Sequence, residues 1–97
     1  MTGGLSETKS ATPETQKIVD EVKSQFEKKS NEKYDCFEAA EYKTQVVAGT
    51  MYFVKVRVGG DQYAHLKVFQ PLPHTNKPME LSDYQTGKTK DEELTYF

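Results

Sequence analysis

The chain has little cysteine and no long apolar run, and each shortage excludes a class of protein. Its one cysteine, Cys36, cannot form an internal disulfide, which favours the reducing cytosol over a secreted disulfide scaffold. No apolar run is long enough to cross a bilayer, and residues 1–10 lack the basic and apolar regions of a signal peptide. We therefore expect a cytoplasmic protein with no membrane partner.

The chain also lacks an excess of charge of either sign. Thirteen Lys and Arg residues face 15 Asp and Glu residues, which leaves a formal net charge of −2 over 97 residues. Such a balance provides no basic surface for DNA or RNA, so no nucleic-acid partner is expected. With 35% hydrophobic residues, a chain of this length can form the core of one small domain, which we predict to span residues 1–97.

A single amphipathic helix is predicted after a polar N-terminal arm. Residues 1–12 are mostly small and polar, and we expect them to form a partly mobile arm. The pair Thr12-Pro13 has the chemistry of a helix start, with threonine as N-cap and proline at the first helical position. Ile18, Val22 and Phe26 then recur at i, i+4 and i+8, which predicts one apolar stripe on a helix of roughly five turns.

After the helix the apolar period changes to two, which is typical of strands. The clearest strand is 50–58, where Tyr52, Val54, Val56 and Val58 alternate with other side chains. Further strands are predicted at 37–46, 63–69, 79–86 and 93–97, with turns at 46–50, 59–62 and 70–74. The fold class is therefore α+β, with a single long helix packed against an antiparallel β-sheet.

The first of these turns has an unusual composition. Gln45-Val46-Val47-Ala48-Gly49 contains only one good turn former, Gly49. The β-branched residues Val46 and Val47 prefer pleated, packed surfaces to exposed tips. A segment that departs from the usual composition of turns, in a sequence that otherwise follows local preferences, indicates a functional site. We interpret segment 45–49 as an apolar tip that becomes buried in a partner.

A second stiff apolar turn is expected beside the first. Successive turns of an antiparallel meander alternate between the two ends of the sheet, so the turns at 46–50 and 70–74 share one end. The later turn contains Pro71-Leu72-Pro73-His74, in which proline fixes the backbone, as β-branching stiffens the valines. Stiff loops lose little entropy on docking. Either loop alone could turn its apolar side chains inward, but together they predict a rigid wedge.

The remaining chemistry-bearing residues do not predict a catalytic or metal site. Cys36, His65 and His74 could supply a nucleophile and a base, but no third orienting group is evident. The same residues do not match the ligand spacing of a zinc site. We therefore expect no enzyme, no catalytic residue, no cofactor and no metal.

Several segments, spread over nearly the whole chain, carry a family resemblance. They are Gly3-Gly4, Tyr42-Lys43-Thr44, the QVVAG run at 45–49, the run at 65–69, Leu72-Pro73 and the run at 91–97. On these segments the sequence resembles the stefins, the type 1 cystatins, which are intracellular inhibitors of papain-like cysteine proteases. The arm is similar to the A type and residues 70–78 to the B type, so the subtype stays open.

The resemblance implies a cystatin-like fold, in which the sheet wraps around the helix, and three binding segments. The arm would enter the protease cleft with a glycine close to the catalytic centre, either Gly3 or, if the register differs by one, Gly4. The two hairpins would fill the other side of the cleft. The implied protease-binding residues are Gly3, Gly4, Gln45, Val46, Val47, Ala48, Gly49, Leu72, Pro73 and His74.

The resemblance also implies the partners and the mode of action. The targets would be papain and cathepsins L, S, H and B, inhibited reversibly, tightly and without a covalent bond. A different class of function would use the same two apolar turns: a non-enzymatic interaction or scaffold protein, or a cross-linked structural protein. Opening the stiff Val46-Val47 turn would join two strands, so we expect a monomer to which a domain-swapped dimer is accessible.

Overall fold

The computed structural model describes residues 5–97, which form one helix and a five-stranded antiparallel sheet. The strands lie in the order β1-β2-β3-β4-β5, so each pairs with its neighbour in the sequence. The elements are β1 (Lys9–Ser10), α1 (Pro13–Ser30), β2 (Glu38–Val47), β3 (Gly49–Gly59), β4 (Gln62–Gln70) and β5 (Glu80–Lys88). This architecture confirms the predicted α+β class of one helix against an antiparallel sheet.

The helix begins and ends at the residues that its capping chemistry predicts. The hydroxyl of Thr12 accepts a hydrogen bond from the Thr15 backbone N–H at 3.2 Å, and the Thr12 N–H donates to Thr15 Oγ1 at 3.2 Å. Pro13 follows at the first helical position. At the other end Asn31 adopts a left-handed conformation with φ 59°, and its N–H donates to the carbonyl of Glu27. Caps of this kind each contribute about 1 kcal/mol to helix stability.

The main core lies between the apolar stripe of α1 and one face of the sheet. Val19, Val22 and Phe26 are fully buried on the helix. Side chains of β3, β4 and β5 meet them: Val54, Val56, Leu66, Val68 and Leu81. Burying each such side chain contributes about 1.5–3 kcal/mol, so this stripe, which the sequence predicts, holds the helix on the sheet.

Two glutamine side chains of the helix form hydrogen bonds to the backbone of the sheet. Gln16 Nε2 donates to the carbonyl of Phe37 at 2.8 Å, and Gln16 Oε1 accepts from the N–H of Ala39 at 2.9 Å. Gln25 makes the same pair of bonds with Met79 and Leu81, at 3.1 and 2.9 Å. Each glutamine therefore holds the first residues of a strand, β2 for Gln16 and β5 for Gln25.

The C-terminal segment corrects one prediction. Residues 93–97 are not a strand in the structure; residues 89–97 instead cover the sheet face opposite the helix. Leu94 is buried there, and the Phe53 ring lies 5.7 Å from that of Tyr96 and 5.6 Å from that of Phe97. Lys67 Nζ donates to the carbonyl of Phe97 at 2.6 Å. Burial of Leu94, ring packing and a lysine donor therefore hold this segment on the sheet without strand pairing.

Beneath this segment lies a buried pair of basic residues. Lys55 pairs with His65 across β3 and β4, and their exposed fractions are 3% and 1%. Lys55 Nζ donates to Glu41 Oε1 at 3.2 Å and to the carbonyl of Lys90 at 2.7 Å. His65 Nε2 has no hydrogen-bond partner among the described residues. Burial, helped by the ammonium groups of Lys88 and Lys55 and opposed by Glu92, lowers the pKa of His65 to about 4.

This pKa predicts an acid-sensitive stability. Below about pH 6.5 the unfolded chain protonates His65, whereas the folded protein stays neutral at this residue down to about pH 4. The free energy of unfolding should therefore fall as the pH drops through this window, by at most about 1.4 kcal/mol per pH unit from this residue. Urea titrations of the protein and of His65→Leu between pH 7 and pH 4 measure it. An equally steep pH dependence in the variant would contradict this assignment.

Candidate functional site

The first hairpin is tighter than the sequence predicts. The predicted turn at 46–50 is largely strand, because Val46 pairs with Thr50 and Val47 pairs with Gly49 across β2 and β3. Only Ala48 lies between the paired residues. Gly49 adopts φ 125°, a conformation that L side chains rarely reach, which explains why the one turn former of the segment stands there.

The valines of this tip point into solvent. Val46 is 71% exposed and Val47 is 41% exposed, and Ala48 between the strands is also exposed. Two exposed valines in neighbouring positions cannot be explained by packing within the protein. The inward-turned alternative for this loop is therefore wrong.

The second loop carries its own exposed leucine on a short, ordered turn. Leu72 is 41% exposed, and Pro73–Thr75 form one turn of 3₁₀ helix directly after it. The Thr75 N–H and hydroxyl both donate to the carbonyl of Leu72, at 3.0 and 2.7 Å. His74 lies exposed within this turn. Leu72 is thus held outward by hydrogen bonds to its own carbonyl, and the inward alternative fails here as well.

The two tips lie side by side at one end of the sheet. Thr50 of β3 pairs with Gln70 at the end of β4, which is the arrangement that the order of the turns predicts. A Cβ on Gly49 would lie 2.4 Å from the carbonyl oxygen of Gln70 and 3.0 Å from the ring of Phe69. The backbones of the two hairpins therefore touch. We call the exposed residues Val46, Val47, Ala48 and Leu72 the apolar edge.

The described part of the N-terminal arm leads toward this edge. Lys9 and Ser10 pair with Tyr42 and Glu41 on the outside of β2. Closer to the tip, the Ser6 N–H donates to the carbonyl of Thr44 at 2.9 Å. Because the arm runs antiparallel to β2, each residue from Ser10 back to Ser6 lies nearer the apolar edge. Gly3 and Gly4 lie outside the described residues.

The structure separates the residues that a catalytic pair would need. Cys36 Sγ lies 3.1 Å from Arg57 Nη1, near the turn that joins β3 and β4. His74 lies at the opposite end of the sheet, and His65 is buried under the C-terminal segment. Among residues 5–97 no group of three or more His, Cys, Asp or Glu side chains is arranged to hold a metal ion. The helix in this part of the chain is not long and apolar enough to cross a membrane.

The sequence does not reveal the residues that support the apolar edge. Phe69 covers Gly49, and the hydroxyl of Tyr52 donates to Gln70 Oε1 at 3.1 Å. In the sequence nothing distinguishes these residues from other strand residues. The only available signal was their position, within three residues of the two turns.

Comparison with known proteins agrees with this geometry. A family model described as Cystatin domain matches residues 3–91. Cystatin-A1 from Sus scrofa is 61% identical over 97 residues, covering 100% of this chain and 94% of that protein. Cystatin-B from Homo sapiens is 58% identical over 97 residues, covering 100% of this chain and 99% of its own length. Cystatin-A from Homo sapiens is 60% identical over 95 residues, covering 98% of this chain and 97% of its own length. The chain belongs to the cystatin family, in its stefin branch, and is an inhibitor of cysteine proteases, not an enzyme.

Proposed function

We propose that this protein inhibits papain-like cysteine proteases by placing its apolar edge in the active-site cleft, reversibly and without a covalent bond. The observation that carries the proposal is the exposure of Val46, Val47 and Leu72 on two adjacent tips at one end of the sheet. No charged residue occurs in 45–49 or in 71–73, so both tips suit an apolar cleft. Gln45, Pro73 and His74 flank these residues and complete the hairpin part of the binding surface.

The geometry favours occlusion over reaction. A protease nucleophile attacks a carbonyl only when an extended peptide holds that carbonyl in a near-attack position. At the first tip, Val47 and Gly49 are paired with each other, so the backbone bends back at Ala48 and presents side chains. The arm would lie on the other side of the catalytic centre, with Gly3 or Gly4 nearest to it. No peptide bond then spans the nucleophile, and the inhibitor is not cleaved.

The affinity would come from apolar burial by a surface that is already ordered. Apolar area removed from water contributes about 25 cal/mol per Å². A standard interface buries about 800 Å² on each partner. Area alone does not set affinity, because binding also costs the ordering of loops. Here the strand pairing at Val47 and the bonds from Thr75 to Leu72 order both tips before binding.

The proposal extends to the target proteases, the cellular location and the extent of the inhibitor domain. We infer that the targets are papain and cathepsins L, S, H and B, and that the protein acts in the cytoplasm. Residues 1–97 would act as a single inhibitor domain, with residues 1–12 as its partly mobile arm. The alternative, a scaffold or cross-linked structural protein, uses the same apolar edge on a partner that is not a protease.

A titration of papain tests the inhibitor against this alternative. Adding the protein should abolish papain activity at about one equivalent, because one edge fills one cleft. The protein should also bind papain whose catalytic cysteine is replaced by alanine, as measured by calorimetry, because occlusion needs no nucleophile. Papain that stays fully active with excess protein would favour the scaffold alternative. Binding only to the intact nucleophile would favour a chemical mechanism.

Val47→Asp tests the apolar edge itself. A carboxylate at this position would have to lose its water in the cleft, so the inhibition constant for papain should rise by about two orders of magnitude or more. The circular dichroism spectrum should not change, since Val47 is exposed in the free protein. Gln62→Asp is the matched control, because it adds the same charge at an exposed position in the opposite hairpin. Equal inhibition by both variants would exclude a role for the tip.

Gly49→Ala tests the proposed domain-swapped dimer. Alanine is strained at φ 125°, and the strain disappears when β2 and β3 straighten into one continuous strand. We therefore expect the variant to populate a dimer in size-exclusion chromatography more than the natural protein does. The isolated dimer should lose inhibition, because the tip no longer exists. A dimer that inhibits papain as well as the monomer would contradict this mechanism.

A further inference from the structure

The loop that carries Leu72 is held at both ends by side chains that are not part of the apolar edge. This loop, residues 71–79, joins β4 to β5. Strand pairing stops at Gln70 and resumes at Glu80, so the ladder itself does not restrain the residues between them. Besides the packing of Met79 on the core, side chains restrain them through a hydrogen bond at the first end and a pair of hydrogen bonds at the second.

Tyr52 holds the first end of the loop. Its hydroxyl donates to the side-chain oxygen of Gln70, the last residue of β4, at 3.1 Å. Burial, with smaller contributions from Tyr42 and Glu14, raises the pKa of Tyr52 further above the neutral range, where a tyrosine hydroxyl is a donor in any case. The carbonyl of Gln70 lies against Gly49 at the same time. Gln70 is therefore fixed through its side chain and its backbone at the point where the chain leaves the sheet.

Gln25 holds the second end. Its amide donates to the carbonyl of Met79, the last residue of the loop, and accepts from the N–H of Leu81, the second residue of β5. The amide projects from the middle of α1, whose apolar stripe is fully buried, so its anchor point is rigid. Two hydrogen bonds from one planar amide fix the orientation of the bound backbone as well as its distance from the helix. The return of the loop into the sheet is thus set by the helix.

Between these anchors the loop has little freedom. Pro71, Pro73 and Pro78 have fixed φ angles, and the 3₁₀ turn closes on the carbonyl of Leu72. If either end were released, the turn would stay intact but would move as a unit relative to the first hairpin. The position of Leu72 beside Val46 and Val47 therefore depends on the two anchors.

We propose that Gln25 and Tyr52 are positioning residues for protease binding, which set the affinity by holding both ends of loop 71–79. This inference rests on the proposed function, since it assumes that Leu72 enters the cleft. When only a fraction of the free protein has the loop in the binding position, the apparent dissociation constant rises by the inverse of that fraction. Loss of one anchor should raise it about five- to tenfold, mostly through faster dissociation.

The chain contains a matched control for Gln25. Gln16 makes the same two backbone bonds with Phe37 and Ala39, and its amide also donates to Asp20 at 2.9 Å. Gln16 holds the helix to the start of β2 by these hydrogen bonds, and no binding loop lies at the start of β2. Gln16→Ala should therefore cost at least as much stability as Gln25→Ala while leaving loop 71–79 held.

The experiment measures the dissociation constant and dissociation rate of each variant with papain, together with its melting temperature. Gln25→Ala and Tyr52→Phe should each weaken binding about five- to tenfold, whereas Gln16→Ala should stay within about twofold of the natural protein. Gln25→Ala should also speed the amide hydrogen exchange of Leu81, whose N–H loses its acceptor, and leave that of Thr75 and Asn76 unchanged, since their N–H groups close the turn that stays intact. Tyr52→Phe removes a single oxygen and keeps the measurement available if Gln25→Ala does not fold.

Each outcome has one meaning. Binding loss in Gln25→Ala and Tyr52→Phe but not in Gln16→Ala supports the positioning role. Equal losses in Gln25→Ala and Gln16→Ala would show that binding follows overall stability and would overturn it. Unchanged binding in Gln25→Ala and Tyr52→Phe, with the natural protein inhibiting papain, would overturn the positioning role and leave the inhibitor function standing. A natural protein that does not inhibit papain would overturn both.

Discussion

The close approach of Gly49 to the carbonyl of Gln70 is the constraint on which the binding surface depends. Strand β3 lies at the centre of the sheet and pairs with β2 on one side and β4 on the other. At its first residue there is no room for a side chain, since a Cβ would meet the backbone of the neighbouring strand at 2.4 Å. Glycine therefore lets the ends of two hairpins touch, and it brings exposed apolar side chains from both into one edge.

The rest of the fold makes this edge rigid. The helix covers one face of the sheet and the C-terminal segment covers the other, so the central residues of β3 and β4 are buried on both sides. The exposed valines and Leu72 therefore lie at the end of a stiff scaffold. A rigid surface of this kind loses little conformational entropy when a partner covers it, which is the physical advantage of an inhibitor that acts by occlusion.

The structure differs from the sequence prediction in the C-terminal segment and at the first turn, and the two differences have separate causes. The alternation of Leu94 and Tyr96 resembles a strand, yet the segment packs on Phe53 through its rings, buries only Leu94 and forms no ladder. The turn around Ala48 is shorter than its composition indicates, because pairing across β2 and β3 continues to Val47 and Gly49. The ring contact joins distant parts of the chain and follows no local pattern, whereas the tight turn depends on Gly49, whose φ of 125° lets the two strands pair up to the tip.

The sequence by itself determined the helix, its caps, the strand periodicity and the identity of the two unusual tips, because these depend on local chemistry and on period. The order of the turns was enough to place the tips at one end. Only the tertiary structure decided that the valines and Leu72 point outward, and that Gln25 and Tyr52 hold the loop behind them. Exposure and side-chain anchoring arise between residues up to 56 positions apart, as in the bond of Gln25 to Leu81, and such contacts follow no local pattern.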